Sequence, residues 1–442
     1  MDTNIPQPIS TETARPVASE ERIKTIDIVR GVALLGILLM NIPGFGIDGS
    51  MWFTVIRGPQ DTTDFRTMAV ISIFFEDTMA GLFAMLFGAG MILFTMNKKD
   101  TQGGVTVAEY YYRRLLWLVL FGITHAYLIW WGDILYFYGL TGMLLYPFRK
   151  TPAKWLFLLS ILCIGIVILK GQLRYNETRE KRAAYHETVK AEKAGKKLTA
   201  GQQQDKTIWL EIENRRPDSA RTKRNISKMR SDYGTIFNYR LPGQSKSNSW
   251  EIYHGIWRSL CLMFIGMALF SIGFFSNKLS TSAYVMALII GYGIGIPLGW
   301  VMFSKGWVGS LNFGVYVDVY RVRHGALNDF RMVLLSLGHA CLIILVFRSR
   351  IVPWLMKGLA NVGQMAFTNY LMQSIICTLF FYGYGLGYYN QLKYHQLFFI
   401  VGAVWIFQII FSSIWLRYYQ FGPFEWLWRS LTYWKRQPMM KS

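Results

Sequence analysis

Long apolar runs, almost free of charge, alternate along this chain with short polar breaks. The runs fall near 28–45, 67–96, 115–131, 134–148, 153–171, 253–275, 281–304, 327–347, 364–384 and 396–418. About 20 apolar residues span the hydrocarbon core of a bilayer as a helix. A membrane barrel would instead show segments of about ten residues with alternating polarity. The pattern predicts an all-α fold: a polytopic membrane helix bundle with about ten transmembrane helices. Only Gly132 and Asp133 separate the third run from the fourth, which predicts a tight helical hairpin.

The polar breaks divide the chain into a tail (1–23), five helices (24–171), an insertion (172–251), five more helices (252–418) and a second tail (419–442). Residues 1–22 are polar, and no small-residue cleavage site follows the first run, so that helix is expected to stay in the membrane. Within the insertion, 176–197 reads as helical. The rest, with Pro217, Pro242 and many Ser and Asn, reads as irregular. The end of the chain, FGPFEWLWRSLTYWKRQP, carries Glu425 and Arg429 as an i,i+4 pair and aromatic residues suited to a membrane interface. It predicts a short helix lying on the surface as an anchor.

Charge then orients the bundle. With the N-terminus inside, the short inside segments hold 19 Lys and Arg and the short outside loops hold 6. Positive-inside bias places both termini in the cytoplasm of a bacterial inner membrane. Helix parity puts 172–251 outside, a basic segment with 18 Lys and Arg against 10 Asp and Glu. Long loops translocate regardless of charge. The chain's net +21 carries no nucleic-acid-binding motif with it, so the bilayer is the expected partner. The four cysteines, Cys163, Cys261, Cys341 and Cys377, all lie in apolar runs without metal-ligand spacing, so neither a disulfide framework nor a metal site is expected.

Polar residues inside the runs are the candidate chemistry, because a charge at mid-helix costs at least about 2.5–3.5 kcal/mol on insertion scales. Arg30 opens the first run. Asn41 lies eleven residues on, about 16 Å further along a helix. Glu76 and Asp77 fall near the middle of the second run, and one of them is expected to pair with a cation, Arg30 being the candidate. The glycines after them, Gly81, Gly88 and Gly90, allow a break or a close helix contact. His125 and Asp133 flank the predicted hairpin turn. A carboxylate beside a histidine makes a general base, but His125 lies several residues below the turn. Direct contact would need a distorted helix, so a partner on a neighbouring helix is the more economical expectation. Asn369 and Gln373 share one helix face and Gln408 and Ser412 another, which predicts hydrogen bonds between helices or a substrate contact. Gly291, Gly295 and Gly299 form overlapping GxxxG spacings that predict close packing.

The segments RIKTIDIVRGVALLGILLMNIPGF, LFAMLFGAGMIL, RRLLWLVLFGITHAYLIWWGDILYFYGLTGML, VGQMAFTNYLMQSIICTLFFYGYGLG and GPFEWLWRSLTYWKRQPM resemble the YeiB-like family of bacterial inner-membrane proteins. The likeness covers nearly all of the chain except 172–251. More distantly, the chain is similar to transmembrane acyltransferases such as heparan-glucosaminide N-acetyltransferase. Those enzymes move an acyl group, often from cytosolic acetyl-CoA, to a sugar across the membrane. Many carry an Arg and, eleven positions on, a His in the first helix; here Arg30 is followed by Asn41. The heparan relative also has an Asn there, and the spacing of Asp77 to Gly88 resembles its second helix. It draws its reactive histidine from the following loop, whereas 46–66 here contains none.

The resemblance implies an acyltransferase with a cytosolic acyl-CoA donor, no permanently bound cofactor, and a glycan or lipid acceptor outside. In that reading His125 is the base, Asp77 or Asp133 orients it, Asn41 stabilises the oxyanion, and Arg30 and the basic cytoplasmic ends hold donor phosphates, with Asn369 and Gln373 as further binding residues. The alternative is a transporter or a small-molecule or lipid-binding membrane protein, in which the same residues line a path. A homodimer is compatible with either.

Overall fold

The computed structural model describes residues 23–96, 101–102, 105–213 and 219–441. The tail 1–22, Lys98, Lys99 and Pro217 lie outside the described residues. Seventeen α-helices follow in order among those described. The first half of the bundle holds α1 (Lys24–Gly46), α2 (Gly49–Arg57), α3 (Thr63–Phe74), α4 (Thr78–Thr95), α5 (Val107–Leu128), α6 (Leu135–Met143) and α7 (Ala153–Lys193). Next come α8 (Ala200–Glu213), α9 (Ser219–Met229), α10 (Tyr233–Ser271), α11 (Thr281–Leu311) and α12 (Phe313–Val319). The remainder is α13 (Gly325–Ser349), α14 (Pro353–Gln364), α15 (Ala366–Phe381), α16 (Leu397–Tyr418) and α17 (Pro423–Tyr433).

Every apolar run is helical, so the all-α membrane bundle read from the sequence is the architecture found. Six units are long and apolar enough to cross a bilayer: α1, α3 with α4, α7, α11, the Leu327–Ser349 part of α13, and α16. Gly255–Ser271 and α15 are shorter apolar helices. Helix α6 has nine residues, about 13 Å of rise against a core of about 30 Å. Its hairpin with α5 is therefore lopsided.

The bundle is built around α1, whose apolar window is 67% buried against α4, α13, α14, α15 and α16, whereas those of α7 and α11 are 17% buried. The outer helices turn Leu158, Ile161, Leu162, Ile289, Ile294, Ile406 and Ile410 outward, a surface suited to lipid tails. Without a hydrophobic force between helices in lipid, close packing at small residues holds such a bundle together. A Cβ on Gly31 would strike the Leu359 carbonyl, and one on Gly363 the Asp27 carbonyl, so α1 and α14 cross backbone to backbone. Gly88 and Gly266 join α4 to α10 in the same reciprocal way. Gly291, Gly295 and Gly299 are buried against α13 and α3, the close packing their spacing predicts.

The second crossing is broken, as its glycines allowed, but earlier in the chain. Asp77 sits in the left-handed region at φ 64°, which Asp tolerates better than most residues. Arg331, 1% exposed, donates to the carbonyls of Ser72 (2.7 Å), Ile73 (3.1 Å) and Glu76 (2.8 Å), and so satisfies the open end of α3.

Segment 172–251 departs from expectation. It is helical well beyond 197: α7 runs on to Lys193, α8 and α9 follow, and α10 begins at Tyr233 and passes through Pro242. The local cause is a small core of its own. Trp209 of α8 is fully buried and stacks on Phe313, Arg182 lies 4.8 Å over the Trp209 ring, and Arg182 Nη2 pairs with Asp318 of α12 at 2.8 Å.

Candidate functional site

The hairpin of α5 and α6 places the principal candidate. Helix α5 stops at Leu128, and the Ile129 and Trp130 amides both bond to the His125 carbonyl at 2.9 Å. The chain then doubles back through Gly132, and Asp133 Oδ2 meets His125 Nδ1 at 2.7 Å. Gly122, one turn below His125, permits this approach: a Cβ there would strike the Tyr136 amide and come within 2.8 Å of Asp133 Oδ1. The contact that the spacing made improbable is thus present, because the loop folds inward where an ideal hairpin would have kept the two residues apart.

The pair is held from three sides. Asp133 Oδ1 accepts the Tyr136 amide at 2.8 Å, at the start of α6, where free amides favour a carboxylate. The Tyr370 hydroxyl of α15 accepts the Ile134 amide at 3.2 Å and donates to the Gly132 carbonyl at 3.4 Å. The Tyr370 ring packs against the His125 ring with centroids 5.2 Å apart. The side chains of His125 and Asp133 are only 1% and 2% exposed. An ionised carboxylate only accepts hydrogen bonds, so the Nδ1 proton points at Asp133. The other nitrogen, Nε2, is buried and has no hydrogen-bond partner among the described residues.

One side of this pair is backed by a cavity of about 270 Å³, whose wall includes Tyr370, Leu135 and Leu118. Its greasy part is formed by Phe83, Leu86, Phe87 and Met91, and its other end by Arg30, Arg114 and Arg429. Arg30 bonds Asp27 at 2.8 Å, one turn back on α1. Arg114 lies 4.4 Å over the Trp428 ring and Arg429 4.3 Å over that of Phe421. The remaining carboxylate of the lining, Glu425, faces the backbone instead: it accepts from the Phe367 amide at 2.6 Å, the Thr368 amide at 3.0 Å and the Thr368 hydroxyl at 2.6 Å. It caps α15, so the end of the cavity keeps a cationic excess. From Arg114 to His125 is eleven residues of α5, about 16 Å. The lining is therefore amphipathic: cations at one end, apolar walls between, and a histidine–carboxylate pair one side chain behind the far wall.

Of the candidates, Arg30 lines this cavity and His125 with Asp133 sits behind Tyr370 of its wall; the others do neither. Asp77 pairs with Arg258 Nη2 at 2.7 Å and accepts from Asn328 at 3.0 Å, so the cation that meets the second helix is Arg258 and not Arg30. Asn41 is part-buried higher on α1 and outside the cavity lining. Asn369 donates to the Val362 carbonyl and to Ser412, and Gln373 donates to Gln408, which in turn donates to the Asn369 carbonyl. These amides stitch α15 to α14 and α16. Sequence reasoning missed Tyr370, which carried no charge to mark it, and the burial of Glu425, which the i,i+4 reading put at the surface. It counted Arg114 among the basic cytoplasmic ends, without singling it out. Arg258 and Arg331 did carry a signal, a cation inside an apolar run.

Residues 269–435 match a family model described as a protein of unknown function (DUF418). The chain is 30% identical over 424 residues to the uncharacterized protein YeiB of Escherichia coli (strain K12), covering 93% of this chain and 96% of that one. It is 28% identical over 443 residues to the uncharacterized protein YxaH of Bacillus subtilis (strain 168), covering 97% and 98%. It is 27% identical to an uncharacterized 39.9 kDa protein in the amylase 3' region of Bacillus acidopullulyticus, covering 96% and 98%. No solved structure matches. The match to YeiB extends from end to end and takes in the α5–α6 hairpin and the cavity: this chain belongs to the YeiB-like family of helical membrane proteins, with the DUF418 region as its C-terminal part.

Proposed function

We propose that the protein is a transmembrane acyltransferase that takes its acyl group from a cytosolic acyl-CoA and delivers it to an acceptor, a glycan or lipid, outside the bacterial inner membrane. The observation that carries this reading is the sealed His125–Asp133 pair with an unoccupied Nε2, one side chain from a cavity that is cationic at one end and apolar along its length. A thioester donor has that polarity: phosphates at one end, a long flexible arm, an acyl group at the tip. Arg30, Arg114 and Arg429 would hold the phosphates, since guanidinium groups suit them. Positive-inside bias puts these residues and both termini on the cytoplasmic face.

In the proposed step His125 Nε2 removes the proton from the acceptor's hydroxyl or amine as its oxygen or nitrogen attacks the thioester carbonyl carbon. The C–S bond breaks, and the imidazolium returns the proton to the leaving thiolate. Asp133 fixes the tautomer and stabilises the imidazolium. General-base assistance of this kind contributes about 10²–10⁴ in rate. Asn41 and Asp77 have no part in it.

The broken α3–α4 helix favours a second reading, a transporter, because discontinuous helices line transport sites. Against it, the open carbonyls at the break are already bound by Arg331 and His339, which fixes the break as structure. The test is thiol release from acetyl-CoA by the purified full chain in detergent with a crude envelope acceptor fraction. Release that disappears in His125→Ala supports transfer. Release unchanged in that variant, or absence of release together with substrate uptake by proteoliposomes, overturns it.

A further inference from the structure

A second, smaller pocket lies on the opposite side of the His125–Asp133 pair. The donor cavity touches the first turns of α1, at Asp27 and Arg30, whereas Phe45 in the last turn of α1 stacks on Trp130 at 3.9 Å. Trp130 and Trp131, a few residues beyond His125, help line a space of about 40 Å³ with Tyr233, Arg240 and Tyr382. Its walls are anchored. The Tyr233 hydroxyl donates to the Leu128 carbonyl at 2.8 Å and Gln244 to the Trp131 carbonyl at 3.1 Å, so the first turns of α10 are latched onto the end of α5. Arg240 lies 5.2 Å over the Trp131 ring and beside Tyr382.

The polar atoms of this pocket are incomplete. Trp130 is 4% exposed and its indole N–H is buried without a partner, as are the Nε–H of Arg240 and the hydroxyl of Tyr382, which can donate as well as accept. Among the described residues no carboxylate pairs with Arg240. Buried donors are nearly always satisfied, so the unpaired N–H groups of Trp130 and Arg240 around one space mark a missing acceptor. Both groups only donate, and one is a fixed cation; their complement is an oxygen that only accepts and carries negative charge. The volume admits one small group and leaves the rest of any larger molecule outside.

We infer that this pocket binds the oxyanion of an acceptor substrate, a carboxylate or phosphate, and so selects anionic acceptors at the outer face. As an acceptor site it rests on the acyl-transfer reading; as an anion site it stands without it, because binding is measured with no turnover. The full chain in detergent is titrated with inorganic phosphate and with acetate, and separately placed in nanodiscs of phosphatidylcholine with or without phosphatidylglycerol, following thermal stability. Saturable stabilisation by a free anion or by the anionic lipid is expected, with the midpoint weakened at least tenfold in Arg240→Gln, largely kept in Arg240→Lys, and weakened in Trp130→Phe, which retains the ring and loses the donor. Response to the soluble anions identifies a free oxyacid ligand; response to phosphatidylglycerol alone identifies a headgroup. Stabilisation equal in wild type and in Arg240→Gln, or absence of a saturable response to every anion, overturns the site and leaves the acyl-transfer proposal to its own test.

Discussion

His125 and Asp133 meet in one 2.7 Å contact, sealed from water and held by Tyr370, the start of α6 and Gly122, and the proposed chemistry rests on that contact. Asp133→Asn keeps the shape and removes the charge that fixes the tautomer. It is expected to lower turnover about 10²–10⁴-fold, the range of general-base assistance, with donor binding by calorimetry unchanged. Loss of binding in parallel with turnover would move Asp133 out of the proton path. Gly122→Ala is expected to act through geometry: the new methyl displaces the Tyr136 amide, at the cost of about 1–3 kcal/mol typical of overpacking. A lower thermal midpoint together with lost turnover is the predicted result; normal values for both would show that the hairpin accommodates a side chain. The two ends of this pair were visible in the sequence as rare polar residues in apolar runs. Their contact was not, because residue spacing on ideal helices has no knowledge of a loop that folds inward over a glycine.

Among the helices, some polar residues couple one helix to the next and others cap helix ends, and the sequence separated the two only in part. Asn369, Gln373, Gln408 and Ser412, read from their spacing as hydrogen bonds between helices or a substrate contact, are interhelical fasteners, whereas Glu425 looked like half of a surface pair and caps α15 beneath the cavity. Helical spacing tells which residues share a face, not what that face meets. Glu425→Ala leaves the Phe367 and Thr368 amides without their acceptor and is expected to cost about 1–3 kcal/mol, more than a surface pair would; a change in thermal stability within error would return Glu425 to the surface role. In the extramembrane helices, the hydrogen bond from Arg182, helped by His186, holds the Asp318 carboxyl below the ordinary carboxylate range. A group with a depressed folded pKa contributes stability above its unfolded value, about 3.9, and loses it as pH falls through the folded one. Protease resistance of the α7–α8–α12 unit should therefore drop as pH goes below about 4, with Asp318→Asn already weakened at neutral pH by under about 1 kcal/mol, since the carboxyl is partly exposed.

The whole molecule is a bundle wound on α1 by backbone-to-backbone crossings, with one broken helix locked by buried charge. The apolar runs revealed the bundle because bilayer thickness sets helix length whatever the packing. Which helix touches which was hidden, and with it the pairing of Asp77 with Arg258 instead of Arg30. The pair is part-buried, its side chains 32% and 37% exposed, so removing one side costs less than the roughly 3–5 kcal/mol of a fully buried pair, while replacing both sides with well-packed apolar groups is often neutral. Arg258 Nε also lies 3.2 Å from Asp329 Oδ1, so Arg258→Met strands two carboxylates and should unfold at lower temperature. Adding Asp77→Leu and Asp329→Leu together should recover most of the loss; a triple variant as unstable as the single one would mean the break needs the charges themselves. At the same scale the larger cavity and the small aromatic pocket lie toward opposite ends of α1, the arrangement that the proposed transfer across a membrane requires. The most direct test is a structure of the full chain with coenzyme A bound. Phosphate density is expected against Arg30 and Arg114, with the thiol approaching Tyr370 and His125. Coenzyme A bound elsewhere, or a cavity filled by lipid at saturating coenzyme A, would contradict it.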